Sequence, residues 1–173
     1  MEETCSECAF DESLAQPRDV ALALPPLATV IGDDIRAVSA QLARRRPSRE
    51  VWSPVEYLGH LRESMAFHRW LIESALAEDN PLIPMVDPDE SVAKSRYADH
   101  DVEALFGQFE RRVDRLCRLL NQLDGGAVNR TLTLDDRQLT VGLVARSAWH
   151  ECHHHRVDIR RLGRLDGGRA ALD

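Results

Sequence analysis

The chain has 173 residues, 43% of them hydrophobic and 29% charged, which is enough for one domain with its own core and too apolar for a disordered chain. Only 5% are aromatic, and the abundance of Ala, Leu, Arg, Glu and Asp disfavours strands and points to an all-α fold. A formal net charge of -7 leaves no basic stripe to displace counterions from phosphates, which excludes nucleic acid as a partner.

Residues 1–16 are polar and carry Cys5-x-x-Cys8; they read as an N-terminal arm before a bundle domain over 17–163, with 164–173 as a frayed tail. Pro17 suits the first position of a helical turn. Pro25-Pro26 then interrupts, so the first long helix is expected from about Pro26 to Ala43, with Leu27, Val30, Ile31, Ile35, Val38 and Leu42 at helical spacing. Arg44-Arg45-Arg46, with Arg49 nearby, reads as a solvated helix end, and Pro47 stops the helix. Ser53-Pro54-Val55-Glu56 is a helix start: Ser53 as N-cap, Pro54 at the first helical position, Glu56 three residues after the cap. This second helix runs to about Leu76, with Tyr57, Leu61, Ser64, Phe67, Leu71 and Ala75 on one side.

Asn80 to Asp101, with Pro81, Pro84 and Pro88, is a long connection holding one short helix around Glu90–Ser95. A third helix spans roughly Val102 to Leu123 on the stripe Leu105, Phe109, Val113, Leu116 and Leu120, and Gly125-Gly126 is expected to stop it. Arg130 to Thr140 alternates around Asp135-Asp136-Arg137, as a short hairpin or extended loop. The fourth helix runs from about Thr140 to Leu162, with Gly163 as its cap. Four long amphipathic helices with one long link describe a four-helix bundle. A charged-then-apolar leader and an apolar run of about 18 residues are both missing, so the expectation is a cytoplasmic protein with no membrane span. In that compartment the four cysteines (Cys5, Cys8, Cys117, Cys152) default to free thiols.

Five of the seven histidines carry the chemistry: His60 in helix two, and His150, His153, His154 and His155 in helix four. At about 100° per residue, His150 and His154 share one face. Extended through Leu143, Ser147 and Val157, that face points inward, and His60 lies on the stripe with Tyr57, Ser64 and Phe67. Two imidazoles from one helix and one from another suit a divalent metal with a position left open, Zn2+ first and Ni2+ or Fe2+ as alternatives. A single interior histidine is as readily a hydrogen-bonded core residue; the i,i+4 pairing is what favours ligands. His153 and His155, about 100° to either side, read as outer or surface positions. His68 is a reserve ligand and His100 is solvated.

Glu151 is a candidate acid–base residue, and Tyr57 and Arg62 are candidates for the substrate edge of the site. His150-Glu151-Cys152-His153-His154 also fits the zinc-protease pattern H-E-x-x-H. That pattern needs a further ligand downstream, and the sixth residue after His154 is Arg160. Cys5 and Cys8 read as two free thiols, a redox pair, or half of a second metal site, for which a four-ligand zinc would need two more Cys or His.

The stretch Trp52-Ser53-Pro54-Val55-Glu56-Tyr57-Leu58-Gly59-His60-Leu61-Arg62 resembles the W-s-x-x-E-Y-x-x-H-x-r helix of the DinB-like superfamily. Ala148-Trp149-His150-Glu151-Cys152-His153-His154-His155 resembles its final helix with an H-x-x-x-H pair, and the likeness covers roughly residues 20–163. It implies a four-helix bundle of up-down-down-up connectivity, commonly a homodimer, with a divalent metal at the positions matching His60, His150 and His154. Relatives such as mycothiol-dependent maleylpyruvate isomerase and the mycothiol or bacillithiol S-transferases imply a low-molecular-weight thiol as co-substrate and a small electrophile as acceptor. Cys5-x-x-Cys8-Ala9-Phe10-Asp11 is similar to a C-x-x-C-G-F-D start in some members, with Ala9 in place of the glycine. The expected function is thus a metal- and thiol-dependent transferase or isomerase. The alternatives are a non-catalytic metal-binding or stress-response bundle and, third, an H-E-x-x-H metalloprotease.

Overall fold

Pro17 at the first position, and Asp19 accepting from the Gln16 backbone N–H at 2.9 Å, start helix α1 (Pro17–Arg36) in the computed structural model, which describes residues 4–11 and 15–167. The helix runs through Pro25 and Pro26 instead of beginning after them. Both prolines are exposed, so the ladder bonds they remove fall on the solvated side, while Val20, Leu24, Ala28, Ile31 and Ile35 stay buried. The single helix expected from Pro26 to Ala43 is therefore two, with α2 (Ala40–Ala43) a separate turn.

Helix α3 (Pro54–Ala77) starts as expected. The Glu56 N–H donates to Ser53 Oγ at 3.4 Å and the Ser53 N–H to Glu56 Oε2 at 2.8 Å, a reciprocal capping box. Arg46 closes on the same carboxylate, Nε to Oε2 at 2.9 Å, so one member of the arginine run is pinned at the helix entrance. The long link carries β1 (Leu82–Ile83), α4 (Pro88–Ser95) and a 3-10 turn over Tyr97–Asp99. Helix α5 (Val102–Leu120) ends short of Leu123, and Gly125-Gly126 open the one-turn α6 (Gly125–Val128) because Asp124 caps it, accepting from the Ala127 N–H at 2.7 Å.

The hairpin is present as β2 (Thr131–Leu134) and β3 (Arg137–Thr140), with Thr131 opposite Thr140. β1 adds in parallel to β2, giving the order β1-β2-β3. The last helix, α7 (Val141–Gly167), passes through Gly163, which sits beside Val38 rather than capping it. Of the tail expected from residue 164, the part to Gly167 is helical and 168–173 lies outside the described residues. Helices α1 and α3 each pack on both α5 and α7. The result is the expected four-helix bundle, with a small sheet just before the last helix. Among the described residues no helix is long and apolar enough to cross a membrane.

Residues 4–11 lie against α7. The Ala9 N–H donates to the Cys5 carbonyl at 2.8 Å and the Cys5 N–H to the Phe10 carbonyl at 2.9 Å. Ala9 is left-handed at φ 57, a conformation that glycine adopts at less cost, so the glycine of the resembling motif has a backbone reason. Phe10 is the arm's buried apolar side chain. Ordering a backbone costs about 1–2 kcal/mol per residue, whereas burying one phenylalanine returns about 1.5–3 kcal/mol. Apolar burial alone does not account for the order of this arm.

Helix α3 approaches the Tyr97 turn so closely that a Cβ on Gly59 would stand 2.4 Å from the buried Tyr97 ring. Gly59→Ala is expected to cost about 1–3 kcal/mol by overpacking, seen as a lower urea midpoint with an unchanged slope. An unchanged midpoint would show that the turn moves aside freely.

Candidate metal centre

The inner line of α7 is carried by Val144, Ala145, Ala148, Cys152 and Ile159, all buried. At about 100° per residue, Glu151 and His155 lie on one flank of that line, about 100° and 60° from Cys152, whereas His150 and His154 lie about 160° from it. Leu143, Ser147 and Val157, which suggest an inward face for His150, are only half-buried. The expected set of His60, His150 and His154 is therefore split between two clusters.

In the first cluster His60 Nε2 stands 3.0 Å from Glu151 Oε2, and His155 Nε2 stands 3.5 Å from the same oxygen. The ligand atoms of His60, Glu151 and His155 lie within 4.8 Å of one another. The two imidazole rings cross at 87° with centroids 5.0 Å apart. Trp52 packs on His60 at 4.9 Å and Tyr57 on His155 at 5.1 Å. The Trp52 Nε1–H donates to Asp89 Oδ1 at 2.9 Å, which ties this aromatic wall to α4. In the second cluster Cys8 Sγ is 3.5 Å from His150 Nε2, and Cys5 Sγ is 3.6 Å from His154 Nδ1.

Burial raises the Glu151 carboxyl, but hydrogen bonds from His155 and His60 outweigh it and hold the group well below its ordinary value. Burial likewise opposes charge on His155; the Asp158 carboxylate, 3.0 Å from its Nδ1, together with Glu151 pushes it up to about 9. The same Asp158 oxygen lies 3.7 Å from His154 Nε2. One carboxylate thus serves the outer nitrogen of a histidine in each cluster, the arrangement that fixes tautomer and ring orientation in metal sites. In the arm, backbone N–H groups of Cys8 and Glu7 lower the Cys5 thiol to about 6. Cys117 and Cys152 are buried, which pushes the first up to about 11 and the second well above the ordinary range.

A cavity of about 640 Å³ opens beside the first cluster, with His60, Ser64, His68, Glu151 and Arg137 among its polar lining and Phe67, Trp70 and Val86 among its apolar lining. His68 Nδ1 lies 2.8 Å from the Ser64 carbonyl. A carbonyl only accepts, so Nδ1 carries the proton and Nε2 remains the acceptor; burial lowers the pKa and keeps the ring neutral. Arg137 makes no ion pair among the described residues.

Two expected edge residues are elsewhere. Arg62 donates to Gln108 and Glu63 and lies 5.6 Å over the Tyr97 ring, and Tyr57 backs His155, its phenol pushed up to about 12 by burial. Neither lines the cavity. The H-E-x-x-H pattern also comes apart, because Glu151 faces His60 and His155 while His150 and His154 face the cysteines. Sequence reasoning passed over His155 and Asp158. Their signal is a second i,i+4 pair, Glu151 and His155, one residue beyond the first, followed by an acid at i+3 from His155.

No curated protein matches the chain. The solved structure of YfiT from Bacillus subtilis, described as a probable metal-dependent hydrolase with an unusual four-helix bundle topology, matches with a TM-score of 0.80 at 18% identity. The match covers 91% of this chain and 93% of that one, and at this identity it shows the fold. The family model of the DinB superfamily matches residues 35–157, which include α3, the sheet and the histidines of α7. The chain belongs to the DinB superfamily.

Proposed function

We propose that this chain is a metal-dependent enzyme that joins a low-molecular-weight thiol to a small electrophile, with a divalent ion held by His60, Glu151 and His155. The observation that carries the reading is the convergence of two imidazoles and one carboxylate, from two helices, with His60 and Glu151 on the wall of a 640 Å³ cavity and His155 behind them. Cavities of roughly this size hold small-molecule ligands.

The donor set fits such an ion. Tetrahedral zinc with nitrogen and oxygen ligands keeps those atoms about 3.3 Å apart, between the 3.0 and 3.5 Å that separate Glu151 Oε2 from the two imidazole nitrogens. Two histidines and one glutamate form a catalytic rather than a structural set because a position stays open, and Zn2+, Ni2+ and Fe2+ all accept it. When bound, the ion supplies the charge that lets a thiol or water ionise near neutral pH. The chain's own residues do the rest. Asp158 orients His155. His68 offers Nε2 as proton acceptor, Phe67 and Trp70 seat an apolar body, and Arg137 pairs with an anionic end of the electrophile. The description of YfiT as a probable metal-dependent hydrolase supports a second reading, in which water replaces the thiol.

His60→Ala and His155→Ala are each expected to lose one equivalent of metal and to abolish conjugation of thiols to simple electrophiles, while Asp158→Asn weakens metal affinity about 10–100-fold. Metal-loaded protein that hydrolyses esters or amides but conjugates no thiol would move the assignment to the hydrolase reading. Arg137→Ala should raise KM for carboxylate-bearing electrophiles about tenfold or more with little change in kcat, the mark of lost ground-state binding. The pH profile has a defined sign. His68 must be unprotonated and burial holds its pKa below the ordinary 6.5, so its contribution to kcat/KM is lost only as pH falls through a value under 6.5. His68→Gln should remove that dependence, and a limb unmoved by the substitution would assign the proton acceptor elsewhere.

A further inference from the structure

The second cluster is not used by the proposed reaction and does not line the cavity, although it adjoins the first where the His154 and His155 rings stand 5.2 Å apart. Its four donors, Cys5 and Cys8 Sγ with one nitrogen each from His150 and His154, lie within 4.8 Å of one another. We propose that Cys5, Cys8, His150 and His154 form a separate, structural zinc site that fastens the N-terminal arm to α7.

Zinc bonds of about 2.3 Å to sulfur and 2.0–2.1 Å to nitrogen place tetrahedral S and N ligands about 3.6 Å apart. The observed pairs are 3.5 Å for Cys8 with His150 and 3.6 Å for Cys5 with His154. The spacings Cys-x-x-Cys and His-x-x-x-His are those of closed Cys2His2 sites, in which protein ligands fill every position. The two ligands missing from the arm's cysteine pair come from the last helix, nearly the whole chain away. Two S–H···N hydrogen bonds would explain each short pair, but not why both pairs share one centre.

The surroundings are built for the same purpose. The hydrogen-bonded turn from Cys5 to Phe10 brings both sulfurs to one side. Phe10 stacks on His150 at 5.3 Å with 5° between planes and meets Trp149 edge-on at 4.7 Å, so an apolar ring shields the cluster. The outer nitrogen of His154 stands 3.6 Å from Glu7 and 3.7 Å from Asp158, which supplies the carboxylate partner that ligand histidines usually have. Cys5 and Cys8 are half-buried, unlike buried Cys117 and Cys152, and so within reach of an ion from solvent. A zinc bridge also supplies what apolar burial lacks in ordering residues 4–11.

Cobalt substitution of the full chain reads this site apart from the one at His60, because only this site has sulfur ligands. Cobalt-loaded wild-type protein should show thiolate-to-cobalt charge-transfer absorption. Cys5→Ser/Cys8→Ser should lose that absorption and one equivalent of metal by elemental analysis, with the helical circular dichroism retained. His155→Ala should lose the other equivalent and keep the absorption. Protein that binds a single equivalent with the sulfur absorption intact supports this site and counts against the one at His60. Absence of the absorption in loaded wild type, unchanged metal content in Cys5→Ser/Cys8→Ser, or a Cys5–Cys8 disulfide persisting in reducing buffer would each overturn the proposal.

Discussion

Ala145, Ala148 and Cys152 press α7 into the core with essentially no exposed surface, and Cys152 Sγ meets Met65 Sδ of α3 at 3.9 Å. Small side chains let the helices approach closely, and that contact fixes the rotation of α7 about its own axis. Everything chemical in the protein follows from this rotation. Two i,i+4 pairs overlap along one stretch of helix, offset by a single residue, and one residue is about 100° of arc. With Cys152 locked inward, Glu151 and His155 turn to His60 on α3, and His150 and His154 turn outward beneath the arm. A helix rotated by one position would carry one pair into the other's place and turn the other pair away from both sites.

The two clusters share a carboxylate. Asp158 lies near the outer nitrogens of both His155 and His154, so each histidine is held from behind while its other nitrogen faces its own partners. Around the first cluster the charges interlock. Two imidazoles hold the Glu151 carboxyl well below its ordinary value, and two carboxylates push His155 up to about 9. If the proposed ion binds here, the proton on His155 is the positive charge it would displace. The aromatic wall of Trp52 and Tyr57 fixes both rings, and the cavity lies beside this set.

Much of the fold is legible in the sequence, because local physics decides it. The start Ser53-Pro54-x-Glu56, the hairpin at Asp135-Asp136 and the periodicity of α5 depend on neighbours a few residues away. Errors occur where tertiary context overrides a local signal. Pro25 and Pro26 look like a helix break, yet their exposed rings cost α1 little beside its buried stripe. Gly163 looks like a cap, yet α7 continues past it alongside Val38. The site itself shows the same limit. Sequence places His60 and the histidines of α7 in one region, but a row of four histidines and a glutamate offers two ligand pairs, and only the depth of Ala148 and Cys152 says which pair faces inward. Cys5 and Cys8 read as an incomplete motif because their partners lie at the other end of the chain.

The assignment of ligands is tested most directly by anomalous diffraction from crystals of the metal-loaded protein, with data collected on either side of the zinc absorption edge. A difference peak bonded by His60, Glu151 and His155 is the expected result. A peak bonded jointly by His60, His150 and His154, or density at the first cluster with no anomalous signal, would contradict it.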